Sequence, residues 1–277
     1  MKDINDILGI RLTPREMLED EYLDKDTGLF YCKKCHTPRQ STVIIGGIHP
    51  SCICECQGEK REAELAEQRR REELNRIARL KSAGLQDSAL RDYTFANDNG
   101  INPEMKMAHK YVNHWSEMKA SSTGLLLWGN VGTGKSFFAG CVANALLDKG
   151  IPVLMTNFAR ILNVLGSMGF EDKNKYIDSF NQYPLLIIDD LGMERNSSEF
   201  ALEQIFNVID SRYRSKLPFI VTTNLTLDEL RNPKDLAHSR IYDRVLERCM
   251  PLKINNQNIR QINRVENMKM ARELLCS

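Results

Sequence analysis

The chain of 277 residues lacks any long apolar run; stretches such as LLLW and LLII break off after four residues. A membrane-spanning helix needs roughly 18 or more, so none is expected. The start, MKDINDILGI, has no apolar block behind a basic opening, so a secretory signal is not expected either, and a cytoplasmic protein is. An excess of charge of one sign is also missing. Lys and Arg number 38 and Asp and Glu 37, for a net charge of +1. Bulk charge therefore gives no reason to expect nucleic-acid binding, and any basic patch must be local. Internal repeats and low-complexity tracts are absent. What is present is a globular composition, 42% hydrophobic, in a chain long enough for one substantial core and a small appendage.

The eight cysteines are unevenly spread. Five fall at Cys32, Cys35, Cys52, Cys54 and Cys56, whereas Cys141, Cys249 and Cys276 stand alone. A local cluster without a secretory signal points to metal before disulfides. Three segments are expected: a small cysteine-rich domain over 1–57, a linker helix over 58–84, and an α/β domain over 85–277. Residues 59–83 contain no Gly or Pro, interleave eight basic with six acidic residues, and sit between Gly58 and Gly84. That composition reads as a solvated helix; the RRR at 69–71 leaves open a partner- or DNA-contacting face.

Beyond DYTFAND (92–98) the pattern alternates. Short apolar runs at 124–129, 152–158, 184–191, 218–224 and 251–254 are separated by helical segments. Apolar strands without polar alternation, joined by helices, predict a parallel sheet covered on both faces. In the helical stretch ALEQIFNVIDSRYRS, Leu202, Ile205, Phe206 and Ile209 are expected as a core stripe.

GNVGTGKS, residues 129–136, fits the phosphate-loop pattern at each fixed position, with a strand before it and a helix after it. Gly129, Gly132 and Gly134 let the loop curl so that its backbone amides, over Asn130, Val131, Thr133, Lys135 and Ser136 as well, face phosphate oxygens. The helix N-terminus adds positive potential. Lys135 is expected on the β- and γ-phosphates of ATP, and the Ser136 hydroxyl on Mg²⁺. LLIIDDLG places Asp189 and Asp190 at the carboxyl end of a buried strand, where carboxylates are tolerable because the crevice is wet. Asp189 is expected to hold Mg²⁺ and Asp190 to orient and deprotonate the attacking water. PFIVTTNLT repeats the layout, and Asn224 is expected to position that water. YCKKC gives Cys32 and Cys35 the spacing of a zinc clip, and SCICECQ offers the second half of a four-thiolate site. An extended chain would put the paired thiolates of the second clip on one side. So small a segment would draw its folding energy from the metal.

Taken in order, GNVGTGKS, LLIIDDLG, VTTN and RIYDRVLERC resemble the AAA+ (ASCE-type P-loop) ATPases. The likeness is to the helicase-loader group of DnaC/DnaI type with its IstB-like transposition relatives, over about residues 90–262. The resemblance implies that Arg244 is an arginine finger for a neighbouring subunit's γ-phosphate, with Arg240 a second candidate and Arg248 solvated. It implies Arg260, or alternatively Arg264, as the sensor-2 arginine on the subunit's own phosphates. A C-x-C-Q ending like that of loader N-terminal domains favours Cys54 and Cys56 as zinc ligands; Cys52 would be spare or replace one, and His36 and His49 are nearby substitutes. Its further implications are ATP, Mg²⁺ and Zn²⁺ as cofactors, ATP hydrolysis, a hexameric DnaB-type helicase and single-stranded DNA as partners, and ATP-dependent self-association. Asp190 stands where many AAA+ proteins carry Glu, so hydrolysis is expected to be slow. An ATPase assisting a transposase, an ATP-binding adaptor without turnover, and a small-molecule P-loop kinase are the other classes. The kinase class lacks a recognisable acceptor site.

Overall fold

The computed structural model describes residues 15–192, 198–233, 235–256 and 258–275, without the side chains of 259, 260 and 262–267. The chain forms two compact units that divide between Asn75 and Arg76. No helix among the described residues is long and apolar enough to cross a membrane.

In the first unit, β1 (Glu21–Leu23) and β2 (Phe30–Cys32) form an antiparallel pair, with Glu21 opposite Cys32. The Asp24 carboxylate accepts from the N–H and the hydroxyl of Thr27 and so shapes the turn. Such local bonds are what make Asp a turn former. The interior is small: Leu29, Cys32 and Cys54 are buried beside Glu21 and Arg39. Helix α1 (Glu55–Gly84) follows. It begins at Glu55, three residues before the Gly58 expected to bound it, and only its last residue, Gly84, is buried. The interleaved charges thus leave it a solvated helix.

The second unit contains a five-stranded parallel sheet: β3 (Gly124–Trp128), β4 (Val153–Asn157), β5 (Leu185–Leu191), β6 (Phe219–Thr223) and β7 (Cys249–Lys253). Its order is β4-β5-β6-β3-β7. All five expected strands form. Their runs are apolar throughout because both faces are covered. Leu125, Leu127, Leu185 and Ile187 pack on one side with Phe138, Val142 and Leu146 of α4 (Lys135–Asp148) and with α2 (Met105–Asn113). The short α3 (Trp115–Ala120) buries Trp115 in that layer. Leu126, Leu186, Ile188 and Val221 pack on the other side. There they meet α5 (Phe158–Gly166), α6 (Phe170–Ser179), α7 (Glu199–Arg214), α8 (Leu227–Arg231) and α9 (Leu236–Arg248). Successive strand residues face opposite ways, so each strand feeds both layers. The last helix is α10 (Ile259–Leu275).

Two details differ from the sequence reading. On α7 the buried apolar residues are Ala201, Ile205, Val208 and Ile209, while Leu202 and Phe206 are half-buried. Phe206 still packs against the core, and the guanidinium groups of Arg240 and Arg244 on α9 lie 5.3 and 4.7 Å from its ring centre. The same helix buries Arg212, 1% exposed, which donates to the carbonyls of Phe180, Tyr183, Pro184 and Pro218. These carbonyls lie just before β5 and β6, at the end of the sheet away from the phosphate loop.

Candidate nucleotide site and cysteine centre

The carboxyl ends of the parallel strands collect on one edge: Trp128 pairs with Thr223, and Asn157 with Asp189. This is the edge at which open α/β sheets bind ligands. β3 runs into the loop 129–134, and α4 begins at Lys135. Gly129 has φ 146°, and a side chain there would strike the Ile254 carbonyl at 2.4 Å. Gly132 has φ 80° and lies against the Asn258 side chain, 2.1 Å from where its Cβ would be. Neither position accepts another residue without rearrangement. Val131 and Asn130 are exposed at the tip, and the buried Thr133 donates its hydroxyl to the Asn130 carbonyl.

Lys135 is buried. Its ammonium donates to the carbonyls of Gly129 at 2.9 Å and Asn130 at 2.7 Å, and to Asn224 Oδ1 at 2.8 Å. The Ser136 hydroxyl donates to Asp189 Oδ1 at 3.0 Å. The structure thus brings the expected loop residues Lys135 and Ser136 onto the expected strand-end residues Asn224 and Asp189. Burial first, and the neighbouring Asp190 charge as well, push the Asp189 carboxyl above the ordinary carboxylate range, against the opposing Thr222 and Ser136 bonds.

Asp190 adopts φ 61° at a register shift between Ile188 and Leu191. Asp tolerates this left-handed conformation better than most residues. Its side chain is exposed at the strand end while Asp189 is partly buried. The bulge is stitched by two buried threonines. Thr222 accepts from the Asp190 N–H at 2.9 Å and donates to Asp189 Oδ1 at 2.5 Å. Thr223 donates to the Leu191 carbonyl at 2.6 Å. The sequence signal for this role was faint: hydroxyls closing an otherwise apolar strand. Asn256 and Asn258, beside Thr133 and Gly132, carried no sequence signal. Arg260 lies in α10, but its side chain and that of Arg264 are outside the described residues.

The arginines of α9 lie along one face, against α7. Arg244 Nε donates to Asp210 Oδ1 at 2.8 Å and one terminal nitrogen donates to the Arg240 carbonyl at 2.9 Å. The guanidinium of Arg240 is 5.3 Å from the centre of the Phe206 ring. Arg248 is not merely solvated: it is half-buried, with its guanidinium 4.7 Å from the centre of the Tyr213 ring. An arginine stem covers apolar area while its flat head stacks on a ring.

In the first unit the sulfurs of Cys32, Cys35, Cys54 and Cys56 all lie within 4.8 Å of one another. Cys32–Cys56 is 3.7 Å and Cys54–Cys56 3.5 Å. A tetrahedral Zn²⁺ with bonds of about 2.3 Å separates its sulfurs by about 3.8 Å, so the donor set and its dimensions fit zinc. The Cys35 thiol is drawn down to about 5, first by the Thr37 hydroxyl and then by the Cys56 N–H. Hydrogen bonds with Cys35 and Cys54 push Cys56 up to about 12. Four close thiols ionise together only beside a cation. Cys52 donates instead to the Pro38 carbonyl, His36 lies by Tyr22, and His49 by the Ser41 carbonyl. The second clip is not an extended pair: Cys54 immediately precedes α1 and Cys56 lies in its first turn. The helix start turns both sulfurs inward, as the Gln57 and Gly58 N–H groups bond the Cys54 carbonyl.

Comparison with known proteins identifies the family and the fold. The family described as "IstB-like ATP binding protein" matches residues 59–267. The replicative helicase loader DnaI of Bacillus subtilis is 23% identical, over 94% of this chain and 90% of that protein. The replicative helicase loader DnaC of Escherichia coli is 26% identical over 51% of this chain and 56% of that protein. A crystal structure of DnaI superposes with a TM-score of 0.52 at 21% identity, covering 65% of this chain and 98% of that one. The chain therefore belongs to the IstB-like ATP binding protein family, with the P-loop AAA+ fold and relatives of the DnaC/DnaI type.

Proposed function

We propose that this protein binds and hydrolyses ATP and uses the cycle to load a hexameric, DnaB-type replicative helicase onto single-stranded DNA. The observation that carries the nucleotide half is the meeting of Lys135 with Asn224 and of Ser136 with Asp189. The amides of residues 129–136 receive phosphate oxygens. Lys135 exchanges a present acceptor for the β- and γ-phosphates, which frees the Asn224 carboxamide to hold a water. Ser136 and Asp189, a hard oxygen pair, would hold Mg²⁺, whose charge offsets that of the transferring phosphoryl group. Asp190, exposed on its bulge, takes the proton of the attacking water. Arg260, or Arg264, serves the same subunit's phosphates, and Arg244 serves those of a neighbour.

The loader half is supported by the similarity to DnaI along nearly the whole chain and by the four-thiol cluster. Residues 1–57 act as a zinc-bearing helicase grip, 58–84 as a linker, and 85–277 as the ATPase. A transposase helper of IstB type would use the same ATPase core but gives no role to the cysteine centre.

Asp190→Asn keeps the backbone tolerance and removes the base. The variant is expected to bind ATP with unchanged affinity and lose turnover measured with Mg²⁺, DNA and helicase. Undetectable turnover in the unaltered protein under the same conditions would instead make it an ATP-binding adaptor.

A further inference from the structure

The Arg244 side chain is held in a way that a solvated arginine does not need. Its inner edge, Nε, is tied to Asp210, which is only 7% exposed. One terminal nitrogen is tied to its own helix at Arg240, and no bond to the other is found among the described residues. The guanidinium lies 4.7 Å from the Phe206 ring centre and 5.7 Å from that of Tyr213. The Tyr213 ring is itself fixed, its hydroxyl donating to Glu247 at 2.9 Å. Asp210 does not depend on Arg244 for charge balance, because its second oxygen pairs with the exposed Arg214 at 2.5 Å.

A donor fork gripped along its inner edge and flanked by rings has given up its rotamer freedom in advance. Its outer edge remains for an acceptor beyond the subunit. Preorganised donors act on developing charge without reorganisation at the moment of reaction.

We propose that Asp210 is a positioning residue that aims Arg244 at the nucleotide of a neighbouring subunit. This rests on the reading of Arg244 as an arginine finger. Asp210 touches neither ATP nor water; it acts in trans, through the arginine alone.

The test mixes full-length subunits. Lys135→Ala cannot hold nucleotide but can lend Arg244; Arg244→Ala holds nucleotide but lends nothing. Each is inactive alone, and the mixture regains hydrolysis. Asp210→Ala is then added to one partner at a time. In the Lys135→Ala partner, which lends the arginine, it is expected to lower kcat by about tenfold to a hundredfold, the upper figure being the cost of a misplacement of about 1 Å, with KM for ATP unchanged. In the Arg244→Ala partner it is expected to change nothing. Asp210→Asn in the lending partner keeps an oxygen facing Nε and restores most of the turnover. Equal loss in both arrangements assigns Asp210 a structural role and overturns the proposal, as does no loss in either. If the parent mixture stays inactive, the arginine-finger reading fails first, and the proposal with it.

Discussion

Arg212→Met tests how the sheet holds Asp189 and Asn224 in place. Arg212 satisfies four carbonyls on the segments leading into β5 and β6, the strands whose far ends carry those residues. Met fills similar volume and offers no donor. At about 1.5 kcal/mol for each hydrogen bond to a charged group, the four losses approach about 6 kcal/mol. That figure is already net of desolvation, which draws the Arg212 pKa down to about 10. The expectation is a loss of about 6 kcal/mol, or roughly 12–24 °C in Tm for a unit of about 200 residues. Urea unfolding should show a lower midpoint with an unchanged slope. Arg212→Lys, with three donors on one atom, should fall between the two. A Tm within about 2 °C of the parent would show that the four bonds contribute little net stability.

Asp189 gives a pH signature. Its carboxyl is held above the ordinary range, chiefly by burial, so the folded state binds the proton more tightly than the unfolded chain. The group therefore favours folding as pH falls through the carboxylate range and costs stability once ionised. Asp189→Asn should raise the metal-free Tm at pH 7, gains of roughly 0.5–2 kcal/mol being usual for single stabilising changes. The gain should shrink towards low pH, and Mg²⁺-dependent turnover should be lost; thermal scans across pH check this. A second expectation concerns the thiols: the purified protein should carry one zinc per chain by elemental analysis. Chelation should unfold residues 30–56 while ATP binding by the second unit persists. Cys52→Ser should keep the metal and Cys54→Ser should lose it.

The sheet was legible because strands buried on both faces need no polar alternation, and Leu125–Trp128 and Leu185–Ile188 show none. The phosphate loop was legible because only glycine fits at Gly129 and Gly132, so the pattern survives in one sequence. The same holds for Asp189 and Asn224, polar residues that end apolar runs. Arg212 was not legible. On paper it is one more charge in SRYRS, and only the fold brings four carbonyls to it. Arg248 was misjudged for a related reason. Helical periodicity tells which residues share a face, but not that a neighbouring helix offers rings for arginines to stack on. The second cysteine clip was assigned the wrong backbone, since one-residue spacing does not reveal that α1 begins between the two sulfurs.

The most direct measurement is unwinding by the cognate replicative helicase on a circular single-stranded template carrying an annealed, forked strand, with ATP and this protein added. A closed circle offers the helicase ring no free end to thread. The loader account expects strand release to depend on the protein, and to be lost with Lys135→Ala and after zinc removal. Strand release at the same rate with and without the protein would contradict it.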